Sequence, residues 1–239
     1  MKGLIADRLR QRARTDGGSP LVTYYDLGSG ERTELSATSF LNWVDKTSNL
    51  LVDEYQLDPG AVVDLDLARR APGHWVTLVI ELAAWQVGAT VVVGGAHRVH
   101  PDLLVLGPDW ESYPGPAADN VLACSLHPLG LGFTSVLPSG ISDFSLEVRG
   151  QSDFYPASPR AGDELAWLDP GRSLTQSDLV DVSFTAGRRL VRPDAAWPTV
   201  QHALVFPVLG GGSSVVVVGD DSERLQRIVE TERVDVDAA

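Results

Sequence analysis

Two stretches of the chain repeat one local order. "WVTLVIELAAWQVGATVVVGG" begins at Trp75, and "WPTVQHALVFPVLGGGSSVVVVG" begins at Trp197. Each has an apolar segment long enough for a helix, then glycine, then a short run dominated by valine. A helix that is apolar on every side must be covered on every side. A valine run without polar alternation suits a strand buried on both faces of a parallel sheet. The glycines sit where a helix stops in a left-handed turn. Helices layered on parallel strands are therefore the architecture such a chain is bound to, an α/β fold.

The remaining elements follow from local signals. "RLRQRAR" (Arg8, Arg10, Arg12, Arg14) reads as the solvated side of an N-terminal helix. "LVTYYD" and "ERTEL" flank "LGSG" and predict a hairpin. Ser36 is placed to cap a long helix. Its apolar stripe is Phe40, Val44, Thr47, Leu51 and Tyr55, widened by Trp43 and Leu50, and "DPG" ends it. "AVVDLDL", "DLLVLG", "VLACSL" and "DELAWLD" read as strands, and "SLTQSDLVDVSFTA" as the start of a helix. Asp220, three residues before Glu223, has capping-box spacing for a last helix with Leu225, Ile228 and Val229 inward. Proline, glycine and serine gather between Leu126 and Asp163, where only one short helix near Ser142–Val148 is expected. The expected organisation is a first α/β subdomain over 1–126, a loop-rich connector over 127–162 and a second, incomplete α/β subdomain over 163–239.

Gly210–Gly212 invite comparison with a phosphate-binding loop, and their order argues against it. Nucleotide loops follow a strand and open a helix, so that backbone N–H groups face the phosphate. These glycines follow a helix and open a strand. Neither a dinucleotide fingerprint nor a P-loop occurs elsewhere, which removes a dinucleotide-dependent oxidoreductase. The chain also has only two lysines, Lys2 and Lys46, among 19 basic residues. Its net charge of −13 disfavours a nucleic-acid partner or an anionic membrane surface. No membrane insertion and no leader are expected, and the single cysteine, Cys124, rules out a disulfide framework. These features suit a cytoplasmic protein.

The arrangement resembles the adenylate-forming enzymes, the acyl-CoA synthetase and AMP-binding family. The resemblance rests on "LVTYYDL…LSATSFLNWVDKTSNLLVDEYQLDPGAVVDLDL", on "WVTLVIELAAWQVGATVVVGG", and on "WPTVQHALVFPVLGGGSSVVVVGDDSERLQRIVETERVD". It implies the fold of a shortened N-terminal region, with parallel-rich sheets flanked by helices. It also implies a set of departures. The family's ATP loop, rich in threonine, serine and glycine and ending in Pro-Lys-Gly, would follow "DELAWLD". Here only Pro170, Gly171, Ser173 and Thr175 stand there, with Arg172 as the nearest cation. The family's Tyr-Gly-x-Thr-Glu and Thr-Gly-Asp segments are absent, and no lysine takes the place of the one on its C-terminal domain. The expectation is a relative without adenylation chemistry, with no catalytic residue, cofactor or metal assigned.

Other chemistry is weaker still. His97 and His100 lack a third ligand at zinc spacing. Asp64 and Asp66 would share a strand face, as solvated carboxylates rather than an acid–base pair. Cys124 lies in an apolar strand and reads as core. His202 falls on the segment resembling the helix that lines the family's acyl pocket, with Trp197 at its start. Trp197 and His202 are thus the candidate pocket residues. Two readings remain: a binding or interaction module that forms a homodimer or meets another protein partner, or a small-molecule (acyl, aryl or CoA-like) binding protein or residual enzyme using a pocket near His202.

Overall fold

The computed structural model describes residues 3–94, 100–113 and 118–237. Helix α1 (Ile5–Asp16) leads into strands β1 (Pro20–Asp26) and β2 (Arg32–Ser36), the expected hairpin. Its turn is fixed by Asp26, which accepts from the Gly28 N–H (2.8 Å), and by Gly30 at φ +79°. The Ser36 side chain caps α2 (Ala37–Asp53) by accepting from Ser39 N. That helix ends at a Glu54 cap, ahead of "DPG".

Strand β3 (Val62–Leu65) is shorter than its apolar pattern suggested, because the chain turns at once into α3 (Asp66–Arg70). Asp66 therefore does not share a strand face with Asp64. Its carboxylate holds Arg69 (2.8 Å) and Arg70 (2.9 Å) in its own first turn. Helix α4 (Trp75–Val87) is buried along its whole length and closes on Gly88 in the left-handed conformation, φ 86°. Strand β4 (Thr90–Val92) follows, then β5 (Leu103–Leu106) and β6 (Val121–Ala123). Within the stretch expected to be loop lies a strand, β7 (Ile141–Asp143), before the short α5 (Phe144–Glu147).

Strand β8 (Leu165–Asp169) returns through a tight turn into β9 (Arg172–Thr175). The helix expected from "SLTQSDLVDVSFTA" does not form. Its first residues pair antiparallel with β8, and Thr175 donates twice to Asp178 in the turn beyond. After β10 (Arg188–Val191), also unforeseen, one helical stretch combines α6 (Ala196–Val200), a π turn over Gln201–Val205 and α7 (Phe206–Gly210). Strand β11 (Ser213–Val218), helix α8 (Ser222–Thr231) and β12 (Val236–Asp237) complete the chain. The cap of α8 is Asp221, which accepts from Arg224 N (2.9 Å), one residue later than the spacing indicated.

Among the described residues the strands form two sheets. One has the order β12-β10-β11-β1-β2, and the other β7-β6-β5-β3-β4-β8-β9. All pairs are parallel except the edge pairs β1–β2 and β8–β9. The fold is α/β, as expected. Each sheet draws strands from both sides of the connector: β1 and β2 join β10–β12, while β8 and β9 join β3–β6. One core containing α2 and α4 links the sheets, and a smaller one lies under α8, where Ile228 meets Leu190, Val215 and Val217. Beyond α8, Glu232 takes Arg188, Arg32 and Tyr25 and pins the helix end to the first sheet.

The arginines of α1 are not a solvated side. Arg12 is 7% exposed and donates to the Pro207 carbonyl (3.1 Å), while Arg10 bridges Asp45 (2.7 Å), Gln86 and the Tyr155 carbonyl. Only Arg14 is exposed; Arg8 is half-buried. A guanidinium can reach carbonyls inside a helix interface while its stem packs as hydrocarbon, which charge patterning alone does not reveal.

Candidate functional site

In open α/β sheets ligands gather beyond the carboxyl ends of the strands. At that edge of the second sheet, the β8–β9 connection is two residues long, Pro170 and Gly171, between the paired Asp169 and Arg172. Asp169 closes the turn, accepting from Gly171 N (2.7 Å) and from the Trp167 indole (2.9 Å). The hydroxyl residues next to the shortened loop, Ser173 and Thr175, lie in β9, and Thr175 donates twice to Asp178, whose carboxyl these hydrogen bonds hold below its ordinary range. Arg172 lies over the Trp197 ring, 5.8 Å from its centroid, and Trp197 packs on Trp167 at 5.2 Å.

His202 lies on the π turn. Pro207 has no N–H to give to the preceding turn, and the Ala203 carbonyl instead receives the Ser214 hydroxyl at 2.7 Å. The His202 ring meets the edge of Phe206 (5.0 Å), and its Nδ1 is buried without a hydrogen-bond partner. Burial, and then the charge of Arg189, lower its pKa. Arg189 itself stacks on Phe206 at 5.3 Å. Trp197 and His202 thus share a helix but enter different clusters, one against Trp167 and Arg172, the other against Phe206.

The glycines after this helix do structural work. Gly211 adopts φ +70° as its cap, and a Cβ on Gly212 would fall 2.1 Å from the Gly187 carbonyl oxygen. Strand and loop can approach only because a side chain is missing.

A second group of ionisable residues was not singled out from the sequence. His74 caps α4: its Nδ1 accepts from Val76 N (3.2 Å), which leaves the proton on Nε2. That Nε2 has no hydrogen-bond partner and lies 4.0 Å from Glu31 Oε2. Burial lowers the His74 pKa to about 4, with Asp26 acting in the opposite sense. Burial also raises the Glu31 pKa. Further along α4, Glu81 is fully buried with both oxygens unpartnered, and desolvation lifts its carboxyl well above the usual range. The only local sign of either residue is a polar letter inside an apolar run.

The other candidates are ordinary. Cys124 is buried, and burial followed by the charge of Asp143 drives its thiol far up, so it is not a nucleophile. His100 is exposed, and His97 lies outside the described residues. Among the described residues no helix is long and apolar enough to cross a membrane.

No protein-family model matches the sequence. A curated relative, a TIGR03089 family protein of Mycobacterium tuberculosis, is 32% identical over 246 residues, covering 98% of this chain and 96% of its own. The chain belongs to the TIGR03089 family. Among solved structures it is similar to an acyl-CoA synthetase of Brucella canis, with TM-score 0.76 and 17% identity, over 98% of this chain and 46% of that one. It is also similar to the N-terminal domain of FACL13 from Mycobacterium tuberculosis, with TM-score 0.67 and 16% identity, over 99% of this chain and 62% of that one. At such identities the likeness is one of fold. This member of the TIGR03089 family spans about half the length of the Brucella enzyme and matches an N-terminal region, as the sequence resemblance implied.

Proposed function

We propose that the chain is a binding or protein-interaction module built on the acyl-CoA synthetase N-terminal scaffold, without adenylation activity of its own. The observation that carries this reading is the two-residue turn at Pro170–Gly171, closed by Asp169. A phosphate cradle needs several convergent backbone N–H groups and a cation. Here one N–H, that of Gly171, is spent on Asp169, and Arg172 is drawn towards Asp169 (3.5 Å) and Trp197. Its expected setting is the cytoplasm, and its expected partner is a second copy or another protein.

The test is acid-dependent exchange of labelled pyrophosphate into ATP, with magnesium and a panel of aliphatic and aromatic acids. No exchange above the protein-free blank is expected. Exchange with any acid would sink the reading.

A second reading, a small acyl or aryl molecule beside the helix carrying Trp197 and His202, is favoured by the buried, unpartnered His202 Nδ1. It predicts that such a ligand shifts the His202 ring resonances, and that His202→Ala abolishes its binding.

A further inference from the structure

One cavity lies away from the carboxyl edge. It is about 730 Å3 and sits where α1 begins and α4 ends, between the 157–162 loop and the 176–181 turn. That volume is in the range of small-molecule pockets. Its apolar lining includes Leu4, Ala6, Trp85, Pro159 and Val180. The loop and the turn are held together by Ser177 N donating to the Gly162 carbonyl (2.8 Å).

The polar lining divides into committed and uncommitted groups. Gln86 is tied to Arg10, Asp45 and Ser48, and the Gln176 amide donates to the Trp85 carbonyl. Asp7 accepts from Leu4 N. Arg160 and Asp181 are different. Arg160 makes no hydrogen bond or ion pair to a described residue, and its Nε is buried without a partner. The Asp181 carboxylate, exposed at the cavity mouth, also has no partner among the described residues, and the two do not pair with each other although they line one cavity. A buried donor without an acceptor is unfavourable, so an occupant that supplies one gains by it.

We propose that this cavity binds a small zwitterion with an apolar body, an apolar α-amino acid or short apolar peptide, its carboxylate on Arg160 and its ammonium group on Asp181. A guanidinium suits a planar carboxylate, which it can grip with two parallel hydrogen bonds. The exposed carboxylates of Asp181 and Asp7 make a bare anion a poor match, whereas a zwitterion leaves the balance of charge unchanged. Leu4, Ala6 and Val180 offer the apolar body its contact. The site is distinct from the Trp197–His202 helix and does not depend on whether the carboxyl edge performs chemistry.

The experiment is calorimetric titration of the whole chain with L-phenylalanine and with the dipeptide leucyl-phenylalanine. Two half-analogues accompany them, 3-phenylpropionate without the amine and phenethylamine without the carboxylate. At least one zwitterion is expected to bind with unit stoichiometry, and each half-analogue at least tenfold more weakly. Arg160→Ala and Asp181→Asn should each weaken binding at least tenfold, Val180→Trp should block it, and His202→Ala should leave it unchanged. Far-UV circular dichroism checks that each variant folds. Binding of neither zwitterion at 10-millimolar levels (on the order of a Kd worth about 3 kcal/mol) would overturn the proposal. So would phenylpropionate binding as tightly as phenylalanine, or binding lost on His202→Ala but kept on Arg160→Ala.

Discussion

The two helix–glycine–strand units obey one local grammar and end in different states. In the first, every residue of α4 is buried, including Glu81 and Gln86. In the second, the helix from Ala196 to Gly210 keeps Gln201, His202, Phe206 and Leu209 partly open and carries a π turn. Both stop on a left-handed glycine, Gly88 or Gly211, and both feed a valine strand. What differs is the cover. Helix α4 packs against α2 as well as the core beneath it, whereas the second helix meets α1 chiefly through α7. Local pattern sets the turn and the strand; the layer above decides whether a polar side chain on the helix is enclosed or left open.

Large-to-small substitution should separate the units most. Trp85 is 1% exposed and donates to the Ala166 carbonyl (3.0 Å). Trp85→Ala is expected to cost about 3–5 kcal/mol in urea denaturation. Phe206 is only half-buried, so Phe206→Ala should cost roughly 1–2 kcal/mol. Equal losses would break the comparison.

Acidity offers the next test, because α4 holds two buried groups of opposite sign. His74 has its folded pKa lowered to about 4 from 6.5, so the unfolded chain binds the extra proton between these values. Its contribution is whole above pH 6.5 and falls away as pH drops to 4, by about 3 kcal/mol in total. Glu81 is raised, so its contribution is whole below 4.5 and is lost as pH rises. The two slopes oppose one another just above pH 4.5. Stability of Glu81→Gln should therefore rise with pH from 4 to 6.5, and that of His74→Asn, which keeps a capping side chain, should fall from pH 4.5 upward. Denaturation midpoints of the two variants running parallel would refute this account.

The smallest contrast lies in the glycines. A Cβ on Gly211 has only Arg12 Nη1 nearby, at 3.9 Å, so Gly211→Ala should cost about 1 kcal/mol for its left-handed backbone. A Cβ on Gly88 would come within 3.0 Å of Arg160 Nη1 and 3.1 Å of its Cδ. Because the unpaired Arg160 side chain can shift by a small amount, Gly88→Ala should cost only slightly more than Gly211→Ala, about 1–2 kcal/mol, and thermal unfolding that finds Gly88→Ala the less costly of the pair would contradict this.

Legibility followed the range of the signal. The hairpin, the Ser36 cap, α4 and the valine strands rest on neighbours in sequence, and they were readable. Strands β7 and β10 are three or four residues long and exist through partners well separated along the chain, and β9 is a four-residue return onto β8, so no periodicity marks them. Asp66 ends a strand because it can hold two arginines that follow it. Of the candidate site, the absence of a long loop after "WLD" was readable. The separation of Trp197 from His202 was not, because it depends on which rings lie opposite. The cavity was hidden entirely: Leu4, Trp85, Arg160 and Val180 come from four distant segments and share no motif.

The parallel pairing of β1 with β11, Val22 beside Ser214, has a consequence in time. On the ribosome the β1–β2 hairpin emerges well before β11, the neighbour that makes β1 an interior strand and that lies far along the chain. Until then one side of β1 exposes unpaired backbone groups, a template for misassociation. The first sheet keeps one side of β1 open while everything between β2 and β11 is made, and closes it only when β11 arrives.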